Sequence, residues 1–230
     1  MLKTPPTISV IVPTLDEERT IAATLMAARQ PGVAELIVVD GGSIDRTVSV
    51  ARTLADRVLT EPPGRARQMN AGANGARGDV LLFLHADTRM PAGYTRSIAD
   101  ALADPRTVGG RFDLRLDADG VGYRVIERAI SLRSRWTGVA TGDQGIFVRR
   151  AVFARVGGYP AIPLMEDIAL YRALNRVGRM ASLRETVLTS ARRWQTRGIA
   201  RTVVLMWALR VAYYVGVSPA RLARVYANAR

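Results

Sequence analysis

The chain has 230 residues, 48% of them hydrophobic, which suits one α/β domain with a sizeable core and excludes disorder as its dominant state. It has no cysteine and one histidine, His85, so disulfide frameworks, cysteine-ligated metals, thiol nucleophiles and multi-histidine metal sites are excluded. The formal charge is +13, and every cation but Lys3 is arginine. That balance suits nucleic acid, acidic lipid or phosphorylated small molecules, and it equally suits an arginine-biased composition without functional meaning.

The first half alternates short apolar runs with helical spacing. Ile8–Val12 is a β-branched run closed by Pro13 and reads as a buried strand. Thr14 and Glu17 have the spacing of a capping box, followed by Ile21, Leu25 and Ala28 at helical intervals until Pro31 and Gly32. Leu36–Val39 is a second buried strand ending at Asp40. After the turn Gly41-Gly42-Ser43, a helix carries Val48, Ala51 and Ala55, with Ser43 or Asp45 as its cap. Arg57–Thr60 reads as a short strand. Arg65–Arg77 has helical potential weakened by Gly72 and Gly75, and Val80–Leu84 is a strong strand. Pro91 is expected to open a helix reaching Ala103.

In the second half, Phe112, Leu114 and Leu116 alternate with Asp113 and Arg115 as in a half-exposed strand, and Val121–Trp136 is helical. Thr141–Gly145 is a polar loop before the short strand Ile146–Val148. Glu166 and Asp167 open a helix bearing Ile168, Tyr171 and Leu174; acids in a first turn also have a purely structural reason, the helix macrodipole. Arg184–Arg230 carries nine arginines and one acid, Glu185. Thr202–Val217 is the most apolar stretch, but Arg210 interrupts it, so no membrane span is expected. With Val203, Trp207, Val211 and Tyr214 near one face it reads as an interfacial helix, a core-packing helix or a dimer contact. No secretory leader pattern is present, so a cytoplasmic location is expected, with peripheral contact at the inner face of the membrane as a further option.

Crossovers of this length argue a largely parallel sheet covered on both faces. Polar groups gather where its strands end: Thr14 and Asp16, Asp40, and His85 with Asp87. Ligands of open parallel sheets bind beyond the carboxyl ends of the strands. Neither a G-x-G-x-x-G fingerprint nor a P-loop occurs, so phosphate binding requires other means, and a divalent metal with arginines is the obvious substitute. Asp40 beside two glycines suits a base or ribose hydroxyls. His85 and Asp87, two apart on an extended chain, point the same way and suit a Mg²⁺ or Mn²⁺ site completed by phosphates and water. Glu166-Asp167 suits a general base.

Taken in order, these segments resemble family-2 glycosyltransferases of the GT-A fold, from about Ile8 to Trp194. V-I-V-P-T-L-D-E-E resembles the family's opening, with Asp16 where asparagine is commoner. Asp40-Gly-Gly-Ser-Ile-Asp45-Arg-Thr resembles the segment that binds the base and ribose, and Arg65 to Gly72 the helix that follows it. His85-Ala86-Asp87 stands where the family has D-x-D, Gly157-Gly158-Tyr159 follows Phe153 as in the family's glycine run, and Glu166-Asp167 matches its E-D pair. Arg192-Arg193-Trp194 is similar to the family's R-W element, but Thr189 or Ser190 replaces the glutamine of processive polymerases, so transfer of a single sugar is expected. F-L-H-A-D-T with G-D-Q-G further resembles a compact bacterial subgroup often described as radical-SAM-associated or arsenosugar-biosynthesis glycosyltransferases.

The resemblance implies one GT-A domain over residues 1–230. Residues 1–105 would be a nucleotide-sugar half, 106–195 an acceptor and catalytic half, and 196–230 a helical segment. It implies inverting, metal-dependent transfer to an acceptor hydroxyl of a small molecule or lipid. Asp167, with Glu166, would be catalytic. Pro13, Thr14, Glu17, Asp40, Arg67, Asn70, Ala86, Arg192 and Arg193 would bind the nucleotide sugar. Gly142, Asp143, Gln144 and Trp194 would face the acceptor, and Asp87 and His85 the metal. Two rivals remain at this stage. A sugar-phosphate nucleotidyltransferase usually has a basic glycine-rich loop where this chain has the acidic Asp16-Glu17-Glu18. A non-catalytic nucleic-acid-binding protein would explain the charge, but no basic recognition motif is recognisable and no nucleic-acid partner is expected.

Overall fold

A computed structural model describes residues 5–228. The first half is a run of parallel strands joined by helices: β1 (Ile8–Thr14), α1 (Ile21–Ala28), β2 (Val33–Asp40), α2 (Thr47–Leu54), β3 (Arg57–Thr60), α3 (Arg65–Ala73) and β4 (Val80–Phe83). Then come β5 (Thr88–Arg89), α4 (Tyr94–Ala101), β6 (Thr107–Asp117), α5 (Val121–Thr137), a 3₁₀ turn at Gly142–Gln144, β7 (Ile146–Arg149), α6 (Arg150–Arg155), α7 (Glu166–Val177) and β8 (Arg179–Ser190). The helices α8 (Arg192–Arg197), α9 (Ile199–Tyr214) and α10 (Pro219–Asn228) end the described chain.

The strands form one sheet in the order β3-β2-β1-β4-β7-β6-β8-β5. β3, β2, β1 and β4 are mutually parallel, β7 runs antiparallel to both β4 and β6, and β8 is parallel to β6. Strand periodicity sorts the core into two layers. Val10, Val12, Leu36, Val38 and Leu82 face Ile21 and Leu25 of α1 on one side. Ile11, Ile37, Val39, Leu81 and Phe83 face Met69 of α3, Phe153 and Tyr159 on the other. Both faces of these strands are buried, which explains their continuous apolar runs.

Several local expectations are corrected. β1 continues through Pro13 to Thr14, because the pairs Pro13↔Val39 and Thr14↔Asp40 extend its ladder. Thr14 therefore belongs to the strand and caps nothing, and α1 begins only at Ile21. In α2 the residues packed inward are Thr47, Val50, Ala51 and Leu54 rather than Val48. The N-cap position of α2 is Arg46, with no side-chain cap; Asp45, one residue ahead, takes the Thr47 amide on Oδ1 at 2.8 Å, and Ser43 ties two loops together. Pro91 lies ahead of α4, whose N-cap is Gly93 at φ +75°. Gly72 is a close-packing residue rather than a weakness: a Cβ there would sit 2.5 Å from Ile11 Cγ2, so α3 lies tight on β1.

The arginine-rich end folds as β8 and three helices. β8 pairs along β6, where Arg111 is fully buried between the Phe112 carbonyl and the carboxylate of Asp113, which also pairs with Arg135 at 2.6 Å. Leu205, Met206, Leu209 and Leu222 pack on Leu164, Met165 and Ile168. The outward face of α9 carries Val204, Trp207, Val211 and Tyr214, all exposed, while Val203 packs inward beside Ile126. Among the described residues no helix is long and apolar enough to cross a membrane.

Candidate active site

Two loops follow β1 and β2, and side chains stitch them together. The Asp16 amide donates to Ser43 Oγ at 2.9 Å, the Ile44 amide to Asp16 Oδ1 at 2.9 Å, and the Glu17 amide to Thr47 Oγ1 at 2.8 Å. Asp16 adopts φ +53°, a left-handed conformation that aspartate tolerates better than most residues. Buried Gln68 donates to the carbonyls of Thr14 and Val39 at 2.9 and 2.8 Å, fixing the two strand ends side by side. Asp40 closes its own loop: Oδ2 accepts the Gly42 and Ser43 amides at 2.9 and 3.0 Å, and Oδ1 accepts Ser43 Oγ at 2.5 Å. A carboxylate has about four acceptor positions, so one remains beyond these three bonds. Thr14 Oγ1 is buried and has no partner among the described residues.

Beyond β4, the sheet edge opens into a cavity of about 450 Å³. Asp87, Asp143, Asp167, Thr189 and Ser190 line it together with Arg65, Arg192 and Arg193. β8 ends at Ser190, whose amide donates to the Asp87 carbonyl at 3.1 Å, and this brings the arginines of α8 to the cavity. Arg192 reaches Glu17 Oε1 at 2.7 Å, joining α8 to the loop after β1. Arg193 stacks over the Tyr226 ring at 5.5 Å, and Trp194 lies on the apolar side with Ile126 and Ala191.

Asp167 stands in the first turn of α7. The turn is set by Met165 at φ +70°, a strained conformation for a non-glycine residue. Asp167 Oδ2 accepts the Gly142 amide at 2.8 Å and Oδ1 its own helix's Ile168 amide at 2.7 Å. Gly142 in turn packs against His85: a Cβ on Gly142 would lie 2.5 Å from His85 Nε2. Burial, reinforced by the Arg65 cation, holds the imidazole pKa below 6.5 against the opposing pull of Asp87, Asp143 and Asp167. The ring thus backs the loop whose Gly142 amide holds Asp167.

The geometry corrects several sequence assignments. Glu166 does not line the cavity; it is 3% exposed and pairs with Arg65 Nε at 2.9 Å, which positions that arginine. Gln144 is fully buried, accepting from Ser134 Oγ at 2.8 Å and donating to the Phe112 carbonyl at 3.3 Å, so it braces the 3₁₀ turn instead of facing an acceptor. Asn70 clamps the Tyr159 backbone, its Nδ2 donating to the carbonyl at 2.8 Å and its Oδ1 accepting the amide at 2.9 Å. Asn70 and Arg67 line a separate groove beside Gly157 and Gly158. Ala86 is buried and its carbonyl accepts Thr24 Oγ1 at 2.8 Å. His85 lines the cavity beside Asp87 and packs its Nε2 against Gly142. Sequence reasoning left Arg65, Arg133, Arg197 and Arg210 out of the site, although all four line the cavity. Only the position of Arg65 at the head of a quoted motif could have signalled one of them.

Asp87 fits a divalent cation. Asp87 lines the cavity, and among the described residues its carboxylate makes a single weak hydrogen bond, with Thr88 Oγ1 at 3.4 Å. Among the described residues no group of three or more His, Asp or Glu side chains could hold a metal alone. One carboxylate with substrate phosphates and water is a common arrangement for Mg²⁺.

A parallel four-stranded half, a carboxylate suited to a cation and a second carboxylate in the same cavity as arginines are arranged as in a GT-A-type fold. The family model "Glycosyl transferase family 2" matches residues 9–157, and the chain belongs to that family. A curated relative, the PGL/p-HBAD biosynthesis glycosyltransferase of Mycobacterium bovis, is 33% identical over 173 residues, covering 67% of this chain and 63% of the relative. The chain thus spans less than two thirds of that relative's length. Among solved structures, the mannosyltransferase PcManGT from Pyrobaculum calidifontis, in complex with GDP-Man and Mn²⁺, superposes with a TM-score of 0.66 at 22% identity. It covers 91% of this chain and 62% of that one. S. aureus TarS 1-349 in complex with UDP-GlcNAc gives a TM-score of 0.65 at 20% identity over 80% of this chain and 58% of that one. At these identities the two structures establish the shared fold.

Proposed function

We propose that the protein is an inverting, metal-dependent glycosyltransferase that moves one sugar from a nucleotide-diphosphate sugar to an acceptor hydroxyl. The observation that carries this reading is that Asp87, Asp167 and the guanidinium groups of α8 converge on one cavity at the carboxyl edge of the sheet. Family membership and the complexes of two structural neighbours with nucleotide sugars support it.

The donor's nucleoside is assigned to the stitched loops of Pro13, Thr14, Glu17 and Asp40, where the remaining acceptor position of Asp40 suits a ribose hydroxyl. The diphosphate is assigned to Asp87, Arg192 and Arg193. Asp87 would hold Mg²⁺ or Mn²⁺, which when bound supplies Lewis-acid neutralisation of the departing diphosphate. Arg192 and Arg193 add charge-assisted donors to phosphate oxygens, and for Arg192 this requires releasing or sharing Glu17. Asp167 takes the proton of the acceptor hydroxyl. Its two amide contacts fix the carboxylate's orientation, and general-base catalysis of this kind is worth about 10²–10⁴-fold. Displacement by the hydroxyl on the face opposite the leaving diphosphate inverts the anomeric carbon.

The test is to incubate the protein with a panel of nucleotide sugars, Mn²⁺ and simple hydroxyl acceptors, and to identify the released phosphates and the anomeric configuration. Release of a nucleoside diphosphate with inversion is expected. Release of pyrophosphate from a nucleoside triphosphate and a sugar phosphate would instead establish a nucleotidyltransferase, and a retained configuration would reject Asp167 as the base for direct displacement.

A second element of the reading concerns location. The exposed stripe Val204, Trp207, Val211 and Tyr214 on α9, with Arg201 and Arg221 nearby, favours peripheral contact with an anionic membrane. Co-sedimentation with anionic vesicles that is lost in Trp207→Ser is expected. Protein that stays in the supernatant and behaves as a dimer would assign the stripe to a subunit contact.

A further inference from the structure

Six arginines and three aspartates line the active-site cavity. Arg65 is paired with Glu166 and Arg192 with Glu17, and Arg193 lies over Tyr226. Arg133 on α5, Arg197 on α8 and Arg210 on α9 have no such partner among the described residues, and of these Arg133 and Arg210 stand near each other. Both are half-buried, and neither forms an ion pair among the described residues. Arg133 Nη2 donates to Ser134 Oγ at 3.0 Å, its buried Nε has no partner, and Arg210 has no side-chain hydrogen bond among the described residues. A guanidinium is a donor-only group, so most of the N–H groups of these two cavity-lining residues are unspent among the described residues.

Burial together with the nearby Arg210 cation pushes the Arg133 pKa down to about 10, with Asp143 and Asp167 pulling the other way. Burial lowers Arg210 as well, against Asp143, Asp167 and Tyr214. The two aspartates therefore offset the pair from a distance without satisfying its donors. Burying like charges without close partners is costly, and an anion would relieve that cost. The adjoining walls are apolar: Ile126 and Ile130 on α5, and Val203 and Met206 on α9.

We infer that Arg133 and Arg210 hold an anionic group of the acceptor, a phosphate or carboxylate carried on an apolar body that lies along Ile126, Ile130, Val203 and Met206. The inference rests on the transferase reading for the identity of the ligand as acceptor. It goes beyond that reading in giving the acceptor a charge and an apolar portion, and in naming the two residues that select it. Arg133 and Arg210 are specificity residues, and Asp167 in the same cavity stays free to take the hydroxyl proton.

The test is direct binding without turnover. Trp194 and Trp207 line the cavity and report its occupancy by fluorescence. Decyl phosphate, decanol and inorganic phosphate, each below any micellar concentration, are titrated into the full chain. Decyl phosphate is expected to bind at least about 10-fold more tightly than decanol, the scale of one charge-assisted hydrogen bond. Arg133→Gln and Arg210→Gln are expected each to remove most of that preference while leaving decanol binding and Mn²⁺-dependent UDP or GDP binding unchanged.

Equal binding of decyl phosphate and decanol to the wild-type protein would overturn the inference without any variant. So would a preference that survives in the double variant. A second arm uses phosphatidylglycerol vesicles to separate a lipid headgroup at the surface from an anion in the cavity. Vesicle binding that is insensitive to both substitutions, with no response to dispersed decyl phosphate, would place anion recognition on the surface and overturn the inference. Loss of nucleotide binding with the decyl phosphate preference intact would count against the transferase reading alone.

Discussion

Asp167 Oδ2 and the Gly142 amide lie 2.8 Å apart, and the second carboxylate oxygen takes the Ile168 amide at 2.7 Å. Asp167→Asn keeps the size of the side chain and removes the proton acceptor. Transfer is expected to fall by about 10²–10⁴-fold, while nucleotide affinity changes little. Initial rates with saturating donor, together with calorimetric titration of the nucleotide, check both halves.

Gly142 makes this contact possible because nothing larger fits against His85. In Gly142→Ala the new Cβ would lie 2.5 Å from Nε2, so the ring or the loop must move. Overpacking of this kind costs about 1–3 kcal/mol. The expected result is a kcat lowered by about 10-fold or more with donor KM nearly constant, because the displaced amide orients Asp167 and not the nucleotide. Restoration of kcat by His85→Ala in the Gly142→Ala background would confirm the steric cause.

Asn70→Ala is expected to lower stability and leave nucleotide binding intact. The two amide bonds to Tyr159 are worth about 1 kcal/mol each, so the denaturation midpoint should shift by the equivalent of about 2 kcal/mol. A selective loss of nucleotide affinity at unchanged stability would return Asn70 to the donor site.

Glu35 is fully buried, accepts Ser9 Oγ at 2.8 Å and the Arg77 amide at 2.6 Å, and stands near the guanidinium groups of Arg57 and Arg77. Burial pushes its pKa up, but the two hydrogen bonds and the two cations outweigh it and hold it below 4.5. The unfolded chain therefore binds the proton more readily. The stabilisation is complete above pH 4.5 and is lost as pH falls through the folded value. Glu35→Gln should destabilise at pH 7 by about 1–3 kcal/mol, and the difference should shrink as pH drops below 4.5. Denaturant unfolding at both pH values measures it.

The parallel half of the fold was legible because its strands are buried on both faces and read as β-branched runs, and because Asp40, Asp87 and Asp167 stand at element ends. β8 was not legible. Its residues are largely half-exposed and lack a continuous apolar run, and they form a strand because β6 offers them a parallel ladder. The misassigned site residues share a cause: Asn70, Gln144 and Glu166 are polar and lie in motif positions, but each is used up by a neighbour distant in sequence, Tyr159, Phe112 and Arg65 respectively. Arg133 and Arg210 were hidden for the opposite reason. On helices whose periodicity suggests packing, only the tertiary fold turns them into a shared cavity.

The most direct measurement is calorimetric titration of UDP and GDP, with and without Mn²⁺, into the wild-type protein, Asp87→Ala and Asp167→Asn. Mn²⁺-dependent binding of one nucleotide to the wild-type protein and to Asp167→Asn, and its loss in Asp87→Ala, is the expected result. An equal loss in both variants would contradict the separate roles given to the two carboxylates, and absence of binding by either nucleotide to the wild-type protein would contradict the transferase reading of these donors.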